Sequence, residues 1–188
     1  MATPTLALVI VAGVAFLLLL WLIGIYNGLV RIRNEVRNAW SQIDVQLKRR
    51  HDLIPNLVET VKGYAGHERG TLEAVMAARS RAVVAGNLDE RVRAEGELTQ
   101  ALGRLLAVVE SYPQLKANEN FLALQEELTS TENKVGFSRQ YYNDSVMQYN
   151  TRIQQFPSNL VAGTFGFRES PFFEVENPAE RAVPQVKF

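Results

Sequence analysis

Residues 6–26 read LALVIVAGVAFLLLLWLIGIY without one charged side chain, and that run constrains what the rest of the chain can become. As a helix rising about 1.5 Å per residue it extends roughly 32 Å, which matches a hydrocarbon core of about 30 Å. The run therefore reads as a membrane-spanning anchor. Leu6 and Phe16 fall within it, and Trp21 and Tyr26 sit at its C-terminal end, where aromatic rings settle at a membrane interface. No Lys or Arg precedes the run, whereas Arg31, Arg33 and Arg37 follow it. That asymmetry predicts a short N-terminus outside a cell membrane and the remainder in the cytoplasm. A cleaved signal peptide is the competing reading; the uncharged residues 1–5, the length of the run and the lack of a small-x-small site speak against it.

The anchor leaves about 160 residues, one domain's worth of chain. Twenty acidic and twenty basic side chains give no net charge, and no Cys is present. A nucleic-acid partner would need a basic stripe, so none is expected, and thiolate chemistry is excluded. The bilayer is the expected partner, with Arg31, Arg33 and Arg37 near its headgroups.

Between residues 29 and 64, apolar side chains recur on a heptad grid. Trp40, Leu47, Ile54 and Val61 form one column, and Val36, Ile43, Leu57 and Tyr64 form another. Arg50 interrupts the second column. Pro55 crosses the grid and, lacking a donor N–H, should clash with the carbonyl of His51 and kink the helix. Only Asn27-Gly28 separates this stretch from the anchor, so the two helices are expected to be nearly continuous. Residues 71–112 read as two helices in line, broken at Ala85-Gly86-Asn87, with Asn87 as N-cap and Glu90 completing a capping box. Residues 118–155 carry Phe121, Leu128, Val135, Tyr142 and Tyr149 at heptad spacing. Three long stretches joined by short turns predict an all-α fold, an antiparallel up-down-up bundle with coiled-coil seams whose middle helix is broken near Gly86.

Residues 158–188 lose the helical period and read as an irregular extended tail. Phe165, Phe167, Phe172 and Phe173 make it too apolar to be freely solvated. The cover is either the chain's own bundle or a neighbouring copy; with three helices already covering one another the neighbouring copy is the more economical, which makes these four phenylalanines candidate assembly contacts. The chain thus divides into an anchor at 1–27, a cytoplasmic bundle at 28–157 and a tail at 158–188.

Candidate chemistry is sparse. His51 and His67 read as surface histidines near helix ends, and Glu68 does not face its neighbour His67, so no metal site is expected. Gly63, Gly66 and Gly70 follow no strand and precede no P-loop lysine, and no serine lies in a nucleophile elbow. The carboxylates read as a solvated face opposite the apolar stripe, with Glu73 and Arg91 among the solvated positions. No catalytic residue and no cofactor is expected. Arg50 differs, because an unpaired charge in a core column is costly. It could pair with Glu132, donate to carbonyls ending the helix before Gly86, or reach the bundle edge on its long stem.

The stretch from Tyr26, YNGLVRIRNEVRNAWSQIDVQLKRRHDLIPNLVETVKGYAGHE, closely resembles the signature of the LemA family. With it go ARS at residues 78–80, LLAVVESYPQLKANENFLALQEEL at 105–128, ENKVGFSRQYYNDSVMQYN at 132–150, and FPSNLVAGTFGF followed by FFE in the tail. The resemblance implies a bacterial inner-membrane protein with a cytoplasmic helical bundle and no established catalytic residues or cofactor. It also implies genes that accompany membrane proteases or TPM-domain proteins, and one branch tied to magnetosome membranes. The expected function is a non-enzymatic, membrane-anchored scaffold that forms a homo-oligomer and organises an inner-membrane patch or a partner membrane protein. A monomeric adaptor or regulator of a membrane protease or transport system is the alternative, and a hydrolase is the third reading.

Overall fold

The computed structural model describes residues 2–173, with side chains described at residue 6 and from residue 8 onward. Every regular element in that span is helical: α1 (Ala2–Lys62), α2 (Arg69–Val84), α3 (Leu88–Val109), α4 (Pro113–Lys116), α5 (Glu119–Gln154) and α6 (Ser158–Thr164). The anchor and the first bundle helix are one continuous α1, since Gly24 and Gly28 cost too little to break so long a helix. Its large apolar side chains from Leu6 to Ile23 are exposed, and its most apolar window has a mean hydropathy of 3.0. Side chains of that kind belong in lipid rather than water.

The described residues fall into two compact units, residues 2–41 with 140–172 and residues 42–139 with 173. In the first, Ile25, Leu29, Val36 and Ala39 of α1 are buried, as are Tyr142, Val146, Tyr149 and Ile153 of α5 and Val161 and Ala162 of α6. Trp40 is half-buried and meets Tyr142 edge-on, with ring centroids 5.4 Å apart. Burial raises the Tyr142 and Tyr149 hydroxyls above the usual tyrosine range, with Arg33 and Arg37 partly opposing the shift at Tyr149.

The tail is not irregular throughout. Residues 158–164 form α6, which ends in a Schellman turn: Gly166 adopts φ +70°, and the Phe167 N–H returns to the Ala162 carbonyl at 3.0 Å. Seven residues are too few to display a helical period, so burial of Val161 and Ala162 and the glycine cap decide the matter. Beyond it the chain is held by a row of side chains on one face of α5. Asn150 takes Ser170 in a two-way grip, accepting from its N–H and donating to its C=O, each at 2.9 Å, and the Tyr142 hydroxyl donates to the Pro171 carbonyl at 2.9 Å. Gln154 donates to Glu169 at 2.6 Å.

In the second unit the break at Gly86 is a reversal. Arg81 pairs with Glu97 at 2.8 Å, and the Tyr112 hydroxyl after α3 donates to Glu68 before α2 at 3.3 Å, so α2 and α3 run antiparallel. Arg79 reaching the His51 carbonyl makes α2 antiparallel to α1; Arg49–Glu127 and Asn118–Tyr64 do the same for α5. The unit is an up-down-up-down bundle of four helices rather than three. Asn87 caps α3 through Glu90 N–H as its spacing predicts, and Glu90 returns to the Gly86 N–H. A cap marks where a helix starts, however, and not the direction it takes. The stripes Leu72, Val75, Ala78, Ala82 on α2 and Leu98, Leu102, Leu105, Val109 on α3 each need a partner, and folding back supplies it within one core.

Asn150→Ala deletes both bonds to Ser170 and leaves buried polar groups unpaired. It should destabilise the protein by about 1–3 kcal/mol, read as a lower denaturant midpoint by circular dichroism in detergent. Protease cleavage within residues 165–173 should then precede global unfolding.

Candidate functional site

Arg50 lies in the core column of α1, and its side chain is 1% exposed. Its guanidinium is surrounded by three partners from two other helices. One terminal nitrogen donates to Glu95 Oε2 at 2.9 Å, the other to Thr99 Oγ1 at 2.7 Å, and Nε lies 3.1 Å from Glu132 Oε2 without hydrogen-bond alignment. The Glu95 side chain is fully buried, and its second oxygen receives His51 Nε2 at 2.7 Å. Thr99 in turn donates to the Glu95 carbonyl at 3.0 Å. A charge brought out of water needs this density of partners, since an unpaired one would cost several kcal/mol.

Beside this cluster, Pro55 withholds the N–H that the His51 carbonyl would receive in a regular helix. Arg79 of α2 fills the vacancy, its Nε donating to that carbonyl at 2.6 Å. The helical break is therefore satisfied by a tertiary bond. A cleft of about 370 Å³ opens next to it, bounded by Asp44, Lys48, Arg79 and Arg91, with His51 and Glu95 on its inner wall. Arg91 pairs with Asp44 across the cleft rather than standing free in solvent. With both Glu95 oxygens occupied and Arg79 held by a carbonyl, the groups are arranged to hold three helices in register. Among the described residues, no group of three or more His, Asp or Glu could hold a metal ion.

Besides Arg91, two of these residues are misread from sequence. His51 is buried mid-helix, not a surface residue near a helix end, and Glu95 is not on a solvated face. The signal for Glu95 was available: it stands seven residues before Leu102 and fourteen before Val109, on the buried column of α3. An acid on one core column and a base on another are natural partners.

The remaining sequence-derived positions distribute as follows. Leu6, Phe16 and Trp21 are exposed on the apolar part of α1, and Tyr26 packs against the Phe165 and Phe167 rings at 4.9 and 5.7 Å. Leu47, Ile54, Leu57, Phe121, Leu128, Val135 and Tyr142 are buried, and Trp40 and Pro55 are half-buried. Of the four tail phenylalanines, Phe167 is buried under its own chain with Arg33 over its ring, and Phe173 is buried with Arg139 over its ring. Those two need no neighbour, because Tyr26, Arg33 and Arg139 supply the cover. Phe165 and Phe172 stay exposed. The rest of the proposed tail, from residue 174, lies outside the described residues.

The family model described as "LemA family" matches residues 39–188. The chain belongs to the LemA family. Among its relatives, magnetosome protein MamQ 2 of Paramagnetospirillum magneticum is 27% identical, with 82% of this chain and 66% of the relative covered. Magnetosome protein MamQ of Magnetospirillum gryphiswaldense is 26% identical with the same coverage. Protein LemA of Metamycoplasma hominis is 29% identical over 74% of this chain and 64% of its own length. The chain thus spans just under two thirds of the relatives it matches. Family membership and the exposed apolar span of α1 make this LemA-family chain a membrane-anchored helical protein.

The Arg50 cluster is testable by a double-mutant cycle. Glu95→Leu alone strands a buried guanidinium and should cost about 3–5 kcal/mol, whereas Arg50→Leu with Glu95→Leu should recover most of that loss in chemical denaturation. The proline vacancy gives a second cycle. Arg79→Ala should cost about 1–3 kcal/mol in the native background and much less after Pro55→Ala, which returns an N–H to the His51 carbonyl.

Proposed function

We propose that this LemA-family protein is a non-enzymatic scaffold of the bacterial inner membrane that self-associates and organises a membrane patch. The observation that carries this reading is the saturation of its buried ionisable cluster: Arg50, His51, Glu95 and Thr99 bind one another, and Asp44, Arg79 and Arg91 at the neighbouring cleft are likewise engaged by protein groups. Such a cluster stiffens a bundle and has no vacant role for a substrate. The anchor is supported by the exposed apolar span of α1. An outside N-terminus and cytoplasmic bundle are supported by Arg31, Arg33 and Arg37 following that span. Likeness to proteins named for the magnetosome is in keeping with a structural role.

The test is the native mass of the full chain in mild detergent. Sedimentation or native mass spectrometry should return a species larger than the monomer at micromolar concentration. A monomer at every concentration, with stoichiometric capture of one foreign membrane protein by crosslinking, would replace the scaffold by an adaptor.

A further inference from the structure

Three large apolar side chains just past α5 and along α6 stay exposed in the first unit: Phe156 at 79%, Leu160 at 62% and Phe165 at 62%. They belong to the stretch 153–167, IQQFPSNLVAGTFGF, which holds no charged side chain and is flanked by Arg152 and Arg168. An uncharged surface with three bare apolar side chains is out of place in water. Its height in the unit follows from the register of α5 on α1, which run antiparallel here, with Trp40 against Tyr142 and Arg31 and Ile32 beside Thr151 and Arg152. As many residues separate Trp40 from Tyr26 as separate Tyr142 from Phe156, so at equal rise the end of α5 comes level with Tyr26. The Phe165 ring lies on Tyr26 at that same height, with centroids 4.9 Å apart. Tyr26 closes the apolar run, about 15 Å along the helix from Phe16 at its middle, and half a hydrocarbon core is also about 15 Å thick. Phe156, Leu160 and Phe165 therefore stand where acyl chains give way to headgroups.

About 7 Å farther along α1, the depth of a headgroup layer, a furrow of about 440 Å³ runs between α1 and α5. Arg31 and Ile32 line it from α1, and Gln148, Thr151 and Arg152 from α5, with no acidic side chain among its walls. Among the described residues, neither Arg31 nor Arg152 has an ion-pair partner, whereas Arg33 is laid over the Phe167 ring. We propose that residues 153–167 form a second membrane contact, an interfacial foot in which Phe156, Leu160 and Phe165 enter the bilayer boundary while Arg31 and Arg152 hold the phosphodiester of an anionic phospholipid. Two guanidiniums without a neighbouring acid favour a headgroup that keeps a net negative charge over a zwitterionic one, whose ammonium they repel. A lone spanning helix is free to rotate about its own axis, and a foot on the surface fixes that rotation. The contact serves a monomer as well as an oligomer, so it does not rest on the self-association proposed above.

Because the chain has no Cys, a single introduced thiol reports the depth directly. Leu160→Cys carries a nitrobenzoxadiazole probe on the foot, with Phe156→Cys as its replicate. Asp144→Cys, exposed on α5 about 18 Å before Phe156, is the solvated reference. The full chain is reconstituted at low protein density in vesicles of equal parts phosphatidylcholine and phosphatidylglycerol, and an unchanged helical spectrum is the folding control. Nitroxides placed high on the acyl chains should quench the probe at position 160 and iodide should not, with the order reversed at 144. Nitroxide carried by phosphatidylglycerol should quench position 160 roughly threefold more than nitroxide carried by phosphatidylcholine, and Arg31→Gln with Arg152→Gln should remove that excess. A probe at 160 open to iodide overturns the foot. A probe shielded from both quenchers is covered by protein, a second copy of the chain, and overturns it equally. Equal quenching by the two lipids overturns the phosphodiester contact, as does an excess abolished by inorganic phosphate but not by chloride of the same ionic strength, which would make the furrow a site for free phosphate.

Discussion

A guanidinium placed in an apolar seam has to be neutralised where it lies, and the four-helix unit is organised around meeting that demand for Arg50. Glu95 and Thr99 come from α3 and Glu132 from α5, so three helices are held at one height by one side chain. An apolar residue at position 50 would pack at several heptad steps with similar energy. A charge with three directed partners is satisfied at one, which makes the cluster a register lock more than a source of net stability.

Pro55 belongs to the same design. It lies one turn beyond His51 in a helix that could otherwise run unmarked, and it strips one carbonyl of its donor. Arg79 answers from α2, so each of the three other long helices contributes polar side chains to the same turn of α1: α2 to the carbonyl of His51, α3 to Arg50 and His51, α5 to Arg50. A defect in secondary structure and a charge in the core would each be costly alone. Set side by side, they give α1 a single fitted height in the bundle, and at the neighbouring cleft Arg79 is held by a carbonyl and Arg91 by Asp44.

The first unit solves a different problem by different means. Its extended segment has no helix or sheet of its own to satisfy its backbone, and α5 provides substitutes from Tyr142 and Asn150, with Gln154 holding the Glu169 side chain beside them. Tyr26 just beyond the apolar span packs on Phe165 and Phe167, so the aromatic residue that composition alone would assign to the lipid interface is also a protein contact.

Periodicity and composition alone determined a great deal: the apolar span, the heptad columns through Leu47, Ile54, Phe121 and Leu128, the cap at Asn87, and the anomaly of Arg50. These are local or periodic signals, carried by residues a few positions apart, and helical geometry converts them directly into faces and ends. Tertiary structure alone decided that Gly86 reverses the chain, that Glu95 rather than Glu132 alone neutralises Arg50, that Arg79 completes the proline break, and that Phe167 and Phe173 are covered within the chain. Each of these pairs residues far apart in sequence, and which partner wins depends on the direction in which a whole helix is laid down. A three-residue turn such as Ala85-Gly86-Asn87 is compatible with either direction, so the choice falls to the apolar stripes on α2 and α3 seeking each other.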